Sequence, residues 1–148
     1  AQGQKSTSGV DAGKDDRVTE QNLSEWITQL QGLSARWGAV TVVSGEWDVV
    51  ADASHSCILH NGHSMMSKIT GSGCMLSALM GTYCGGNPGD PFAAAVAASG
   101  VMGISGERAY RNVQKQGGGT SSFRIALIDA VSQIQDTHWE EELHFAYR

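Results

Sequence analysis

The chain has 148 residues, of which 41% are hydrophobic and 17% charged, a make-up that fits one soluble domain and excludes a large multidomain machine. Ten basic against fifteen acidic residues leave a net charge of −5, which is wrong for gripping a phosphate backbone, so no nucleic-acid partner is expected. The longest mostly apolar stretch, Phe92 to Ile104, is interrupted by Ser99, Gly100 and Gly103 and is too short to span a bilayer, so no membrane partner is expected either.

Taken in chain order, Ala1 to Arg17 carry three clearly apolar side chains, Ala1, Val10 and Ala12, and read as a loop or flexible arm. No cationic, apolar targeting segment follows Ala1, which fits either a trimmed initiator methionine or a start inside a longer gene. Order is expected from Asn22, an N-cap whose box Glu25 completes. Leu23, Trp26, Ile27, Leu30, Leu33 and Trp37 then share one helical face, and Gly38 stands at the C-cap position. Ala39 to Val43 is a continuous apolar, β-branched run, expected as a strand buried on both faces of a parallel sheet. Trp47 to Ala51 and Ser56 to His60, separated by the turn-prone Asp52 to His55, predict a hairpin at one sheet edge. A loop at Asn61 to Ser64 leads to Met75, Leu76, Leu79, Met80 and Tyr83 at helical spacing. Asp90-Pro91 opens a helix rich in alanine and glycine through Gly106, a composition suited to close packing. Gly117 to Gly119 form a turn before a last helix, Ser121 to Gln135, with Phe123, Leu127, Val131 and Ile134 on its apolar face. The tail from His138 to Arg148 is polar with scattered aromatics. This order indicates an α/β layer protein, yet it supplies a single central strand, too few for a complete open sheet.

The chemistry concentrates between Lys68 and Leu79. Thr70 to Cys74 have almost no side-chain bulk, and a helix starts directly after them. Glycines there let backbone N–H groups point at an anion, and the helix N-terminus adds about half a positive charge. The same pattern also describes a tight turn with a glycine cap, and it is not a Walker loop, because no Lys-Ser/Thr pair follows the second glycine. Cys74 falls on the first turn, where a helix N-terminus activates a thiol as base or nucleophile; a small packing residue is the alternative. Cys57, in a strand pattern, and Cys84, near a helix end, read as structural. An odd number of cysteines without metal-ligand spacing fits free thiols in a reducing cytoplasm. Ser44-Gly45-Glu46 follows a buried strand, either as a ligand-side loop or as a solvated turn, and His63 has the same standing. His138, Glu141, Glu142 and His144 do not reproduce a zincin spacing and read as a solvated terminal face, so no metal ligand is assigned.

Val42-Val43-Ser44-Gly45-Glu46-Trp47-Asp48, then Asn61-Gly62-His63, then Ile69-Thr70-Gly71-Ser72-Gly73-Cys74 resemble, in order and spacing, the C-terminal half of hydroxyethylthiazole kinases. Gly9-Val10-Asp11 and the late Gly119-Thr120-Ser121-Ser122-Phe123 stretch match as well, so the resemblance runs from about Gly9 to about Gln135. It implies a ribokinase-like three-layer α/β/α fold, present in part. Residues 1–17 would form the arm, 18–137 the C-terminal part of the kinase domain and 138–148 the tail. It implies ATP and Mg2+ as cofactors, transfer of the γ-phosphoryl group to the primary alcohol of hydroxyethylthiazole in thiamine salvage, and a homotrimer with sites between subunits. Carried over by position, Gly71 contacts the substrate, and Gly71, Ser72, Gly73 and Cys74 form the anion hole with Cys74 nearest the acceptor hydroxyl. Ser44 stands where the family contacts ATP. The family's early strands, apolar substrate pocket, basic ATP contact and magnesium-associated Asn-x-x-Glu have no counterpart, and Glu46 is not given the metal. Two other readings follow: a truncated or split fragment that needs a complementing N-terminal half, and another ribokinase-like kinase of a vitamin precursor. Cys74 argues against the second, because most ribokinase relatives carry aspartate there.

Overall fold

A computed structural model describes residues 18–134 and 138–148. The expected arm 1–17 and the Gly9-Val10-Asp11 segment lie outside those residues, and the last helix, expected to run to Gln135, stops at Ser132.

Helix α1 spans Leu23–Trp37 and ends where Gly38, left-handed at φ 62°, donates its N–H to the Ser34 carbonyl. The expected capping box does not form. The Asn22 carboxamide oxygen accepts from the Thr19 N–H at 2.7 Å, and Glu25 accepts from Gln29 one turn on. An asparagine before a helix has backbone donors on both sides to choose from, and here the preceding turn wins. Leu23, Trp26, Ile27 and Leu30 pack into a core with Val18, Val49, Ala51 and Ile58, whereas Trp37, at the helix end, is 63% exposed.

The sheet holds β1 (Thr41–Val43), β2 (Asp48–Ala51), β3 (Ser56–Leu59) and β4 (Phe145–Tyr147) in that spatial order, every pairing antiparallel. The β2–β3 hairpin is the expected one, with Val50 opposite Cys57. The Asp52 carboxylate closes its turn by accepting from the Ser54 and His55 N–H groups, both at 2.7 Å. The strand expected in a parallel sheet is corrected. β1 is half-buried and runs antiparallel to β2, Val42 opposite Val50. A β-branched run reports burial, not the direction of its neighbour. The strands buried on both faces are β2 and β3: Val49, Ala51 and Ile58 face α1, while Val50, Cys57 and Leu59 face the other way. The tail contributes β4, whose register sets Cys57 opposite Tyr147.

On that other face lies α3 (Pro91–Gln116), which packs Ala95 and Val96 onto Val50, Cys57 and Leu59. The Asp90 carboxylate caps it by accepting from the Ala93 N–H at 2.9 Å, with Pro91 at the first position, and it continues ten residues beyond Gly106. Helices α2 (Ser72–Gly86) and α4 (Thr120–Ser132) flank α3 and close a second core of Leu76, Met102, Ala109, Val113, Phe123, Ala126 and Leu127. The layers are therefore α1, the sheet, and the α2–α4 group: an α/β/α arrangement. The glycines of α3 are contact points. Leu143 and Trp139 lie over Gly100, Asn61 over Gly103 and the Met66 sulfur over Gly106. Among the described residues, no helix is long and apolar enough to cross a membrane.

Candidate active site

The connection from β3 to α2 builds the site. After β3 come Asn61, Gly62 and His63, then a 3-10 turn at Ser64–Lys68, extended Ile69, and Gly71. Gly71 sits at φ 100°, ψ 0°, a backbone state that side-chain-bearing residues rarely adopt. The first helical bond of α2 runs from the Met75 N–H to the Gly71 carbonyl at 2.9 Å. The N–H groups of Ser72, Gly73 and Cys74 are thus first-turn donors with no acceptor inside the helix, and the residue at the cap has no side chain to cover them. A Cβ added at Gly71 or Gly73 would meet open space, and Cys74 is exposed. Three convergent amide donors, the helix dipole and free space above them can hold one anion. The Ser72 hydroxyl faces the other way and donates to the Met66 carbonyl at 3.0 Å, tying the helix start to the turn before it.

Gly71, Ser72, Gly73 and Cys74 are therefore brought together on one turn. Ser44 is not among them. It is exposed on the turn after β1, where the Gly45 N–H donates to the Asp48 carboxylate at 3.1 Å. Burial pushes the Asp48 carboxyl up to about 6, against the pull of that hydrogen bond. Among the described residues, no hydrogen bond joins Ser44 to the α2 turn. His63 is a packing residue: its Nδ1 accepts from the Met65 N–H at 3.2 Å and its ring stacks on Tyr110 with centroids 3.5 Å apart. Cys57 is buried in the sheet, which pushes its thiol up to about 11, and Cys84 is half-buried. Glu142 pairs with Arg108 and Arg111, and the Arg108 guanidinium, chiefly, holds its carboxyl below the usual range. Among the described residues, no group of three or more His, Cys, Asp or Glu side chains converges as a metal site would require.

Glu107 was not singled out by sequence reasoning, and Asn61 entered it only as part of the Asn61-Gly62-His63 motif. Asn61 is buried and donates from Nδ2 to Glu107 Oε1 at 3.1 Å and to the Glu142 carbonyl at 2.9 Å. Its Oδ1 accepts from the His144 N–H at 2.7 Å. Glu107 Oε1 also accepts from the Gly62 N–H at 2.9 Å. The available signal was a lone carboxylate in the small-residue run Gly103-Ile104-Ser105-Gly106-Glu107, where a charge needs a partner.

The sequence model of the hydroxyethylthiazole kinase family matches residues 1–137. A hydroxyethylthiazole kinase of Clostridium acetobutylicum is 42% identical over 134 residues, which are 90% of this chain and 49% of that one. The corresponding protein of Ruminiclostridium cellulolyticum is 40% identical over 137 residues, 93% of this chain and 48% of that one. The chain thus spans about half the length of the relatives it matches. In three dimensions it is similar to the hydroxyethylthiazole kinase protein of Pyrococcus horikoshii OT3, with a TM-score of 0.73 at 22% identity, over 87% of this chain and 48% of that one. Sequence match and fold agree, and the chain belongs to the hydroxyethylthiazole kinase family.

Proposed function

We propose that this chain carries the phosphoryl-transfer turn of an ATP-dependent hydroxyethylthiazole kinase. The observation that carries the reading is the first turn of α2: three amide donors without a capping side chain, open space above them and an exposed thiol beside them. In this reaction the acceptor hydroxyl oxygen forms a bond to the γ-phosphorus of ATP, the bond to the bridging oxygen breaks, ADP leaves and the hydroxyl proton passes to solvent or a nearby base. Little covalent work falls to the protein, so positioning and charge neutralisation dominate. The Ser72, Gly73 and Cys74 N–H groups hold the negative charge of the transferring group. Gly71 lets the chain turn tightly beside the substrate, and Cys74 orients the acceptor hydroxyl, a thiol being a poorer base for an alcohol than a carboxylate. Ser44 is the ATP contact on the sheet side. The described residues offer no convergent carboxylates for magnesium.

Because the chain spans about half of its relatives, the remaining contacts are assigned to a complementing N-terminal half, within a homotrimer. An exposed Cys74 suits a reducing cytoplasm. The second reading, a fragment with no chemistry of its own, rests on the same coverage. Phosphorylation of hydroxyethylthiazole by this chain, alone and mixed with an N-terminal half, separates the two. Turnover in the mixture is expected, and silence in both preparations sinks the kinase reading. Within an active mixture, Cys74→Ala is expected to lower kcat by about a hundredfold while ATP affinity stays within about twofold, the pattern of a group that acts at the acceptor.

A further inference from the structure

We propose that Glu107, in the middle of α3, is a positioning residue for the phosphoryl-transfer turn, acting through Asn61 and Gly62. The inference rests on the kinase reading for its catalytic consequence, but its structural part stands independently. Helix α3 grips the loop before α2 at three successive points. Glu107 Oε1 accepts from both the Asn61 carboxamide and the Gly62 N–H, at 3.1 and 2.9 Å. Tyr110 stacks on His63, and Gly106 leaves room for the Met66 sulfur. Met66 then passes the constraint on, because its carbonyl accepts from the hydroxyl of Ser72, the first residue of α2. The route from carboxylate to first turn therefore runs through contacts at each step.

Packing alone does not call for a carboxylate here. Gly103 and Gly106 already fit the loop against α3, and an aliphatic side chain at 107 would fill the same volume. What the carboxylate adds is an acceptor for two donors that the loop cannot satisfy within itself, and a charged acceptor makes such bonds stronger and more directional. The segment just before β4 braces the same residue from the far side, since Asn61 donates to the Glu142 carbonyl and accepts from the His144 N–H. Those partners lie beyond residue 137, where the family match ends. Asn61 is thus clamped between α3 and the segment that leads into β4, and Glu107 is the ionic member of the clamp.

Amide hydrogen exchange on the full chain tests the anchoring without any assay of activity. In Glu107→Leu, exchange from Gly62 to Cys74 is expected to rise about tenfold while β2 and β3 stay within about twofold of wild type. Glu107→Gln keeps an acceptor oxygen and is expected to stay near wild type. Unchanged exchange in the loop of Glu107→Leu, or a rise of equal size in the sheet, overturns the proposal. Should Glu107→Leu fail to fold, the wild-type Gly62 amide decides: protection of about a hundredfold is expected, and a free exchange rate overturns it. In the mixture with an N-terminal half, Glu107→Leu is expected to lower kcat about tenfold with the KM for ATP little changed, and Glu107→Gln to restore most of the loss. A folded Glu107→Leu with wild-type kcat overturns the positioning role. Absence of turnover in the wild-type mixture rejects the kinase reading instead and leaves the exchange result to judge the anchor.

Discussion

Helix α3 buries fourteen of its residues, from Ala94 to Val113, whereas α2 buries Leu76 alone, although both helices carry several glycines. The glycines at the centre of α3 each lie under a neighbour: Leu143 on Gly100, Asn61 on Gly103, Met66 on Gly106. Those of α2 at 73, 81, 85 and 86 face open space. Glycine thus serves two ends. In α3, missing side chains let other segments come close, so the helix acts as a frame. In α2, they leave the helix surface bare, and its first turn stays open to a ligand.

The largest effect should come from the core that α3 shares with its flanking helices. Phe123→Ala removes a fully buried ring there and is expected to destabilise the chain by about 3–5 kcal/mol in urea unfolding. A loss below about 1 kcal/mol would mean that the α3–α4 contact is not a packed core. On the sheet side the test is one of pH. Asp48 has its carboxyl raised to about 6 in the folded state, so the folded chain binds that proton more tightly than the unfolded chain does. Its contribution is fully present below its ordinary value near 4 and is lost as pH rises through 6. Stability from this group should fall by about 2–3 kcal/mol between pH 4 and pH 7, and Asp48→Asn should remove that slope. Asp52 and Glu142 are shifted downward and work in the opposite sense, losing their contribution only as the pH falls through their lowered values. The direct contrast between the helices comes next. Gly103→Ala would set a methyl group 2.8 Å from the Asn61 carbonyl oxygen, and a loss of about 2 kcal/mol is expected. Gly81→Ala, in the open middle of α2, should do the reverse and stabilise by about 0.5–1 kcal/mol, since alanine is the better helix former and meets nothing. Equal responses at the two positions would erase the distinction between frame and exposed helix.

The elements marked by strong local chemistry were legible in the sequence: the Gly38 stop, the hairpin around Asp52, the Asp90-Pro91 start and the glycine-led opening of α2. Each depends on residues within a few positions of one another. The antiparallel course of β1 was missed because it is settled by the connection from Ser44 to Trp47, too short for a parallel crossover to β2, and not by the β-branched run itself. So was β4, three residues long with Phe145 and Tyr147 exposed, which leaves almost no burial pattern to detect. For the site, the contiguous Gly71–Cys74 turn could be read directly. The Glu107 anchor could not, because Glu107 meets Asn61 across 46 positions of chain and only the folded packing of α3 brings them together.

The glycine row of α3 has a consequence of its own. Gly100, Gly103 and Gly106 are three residues apart, so they recur at intervals of about 4.5 Å along the helix axis. Each notch seats a different part of the chain: the C-terminal segment, the start of the site loop, and the turn before α2. A shift of the helix along its axis by half that interval would unseat all three at once. The row works like the teeth of a rack that holds three separate segments in one register, and the Gly71–Cys74 turn is tied to that register through Met66.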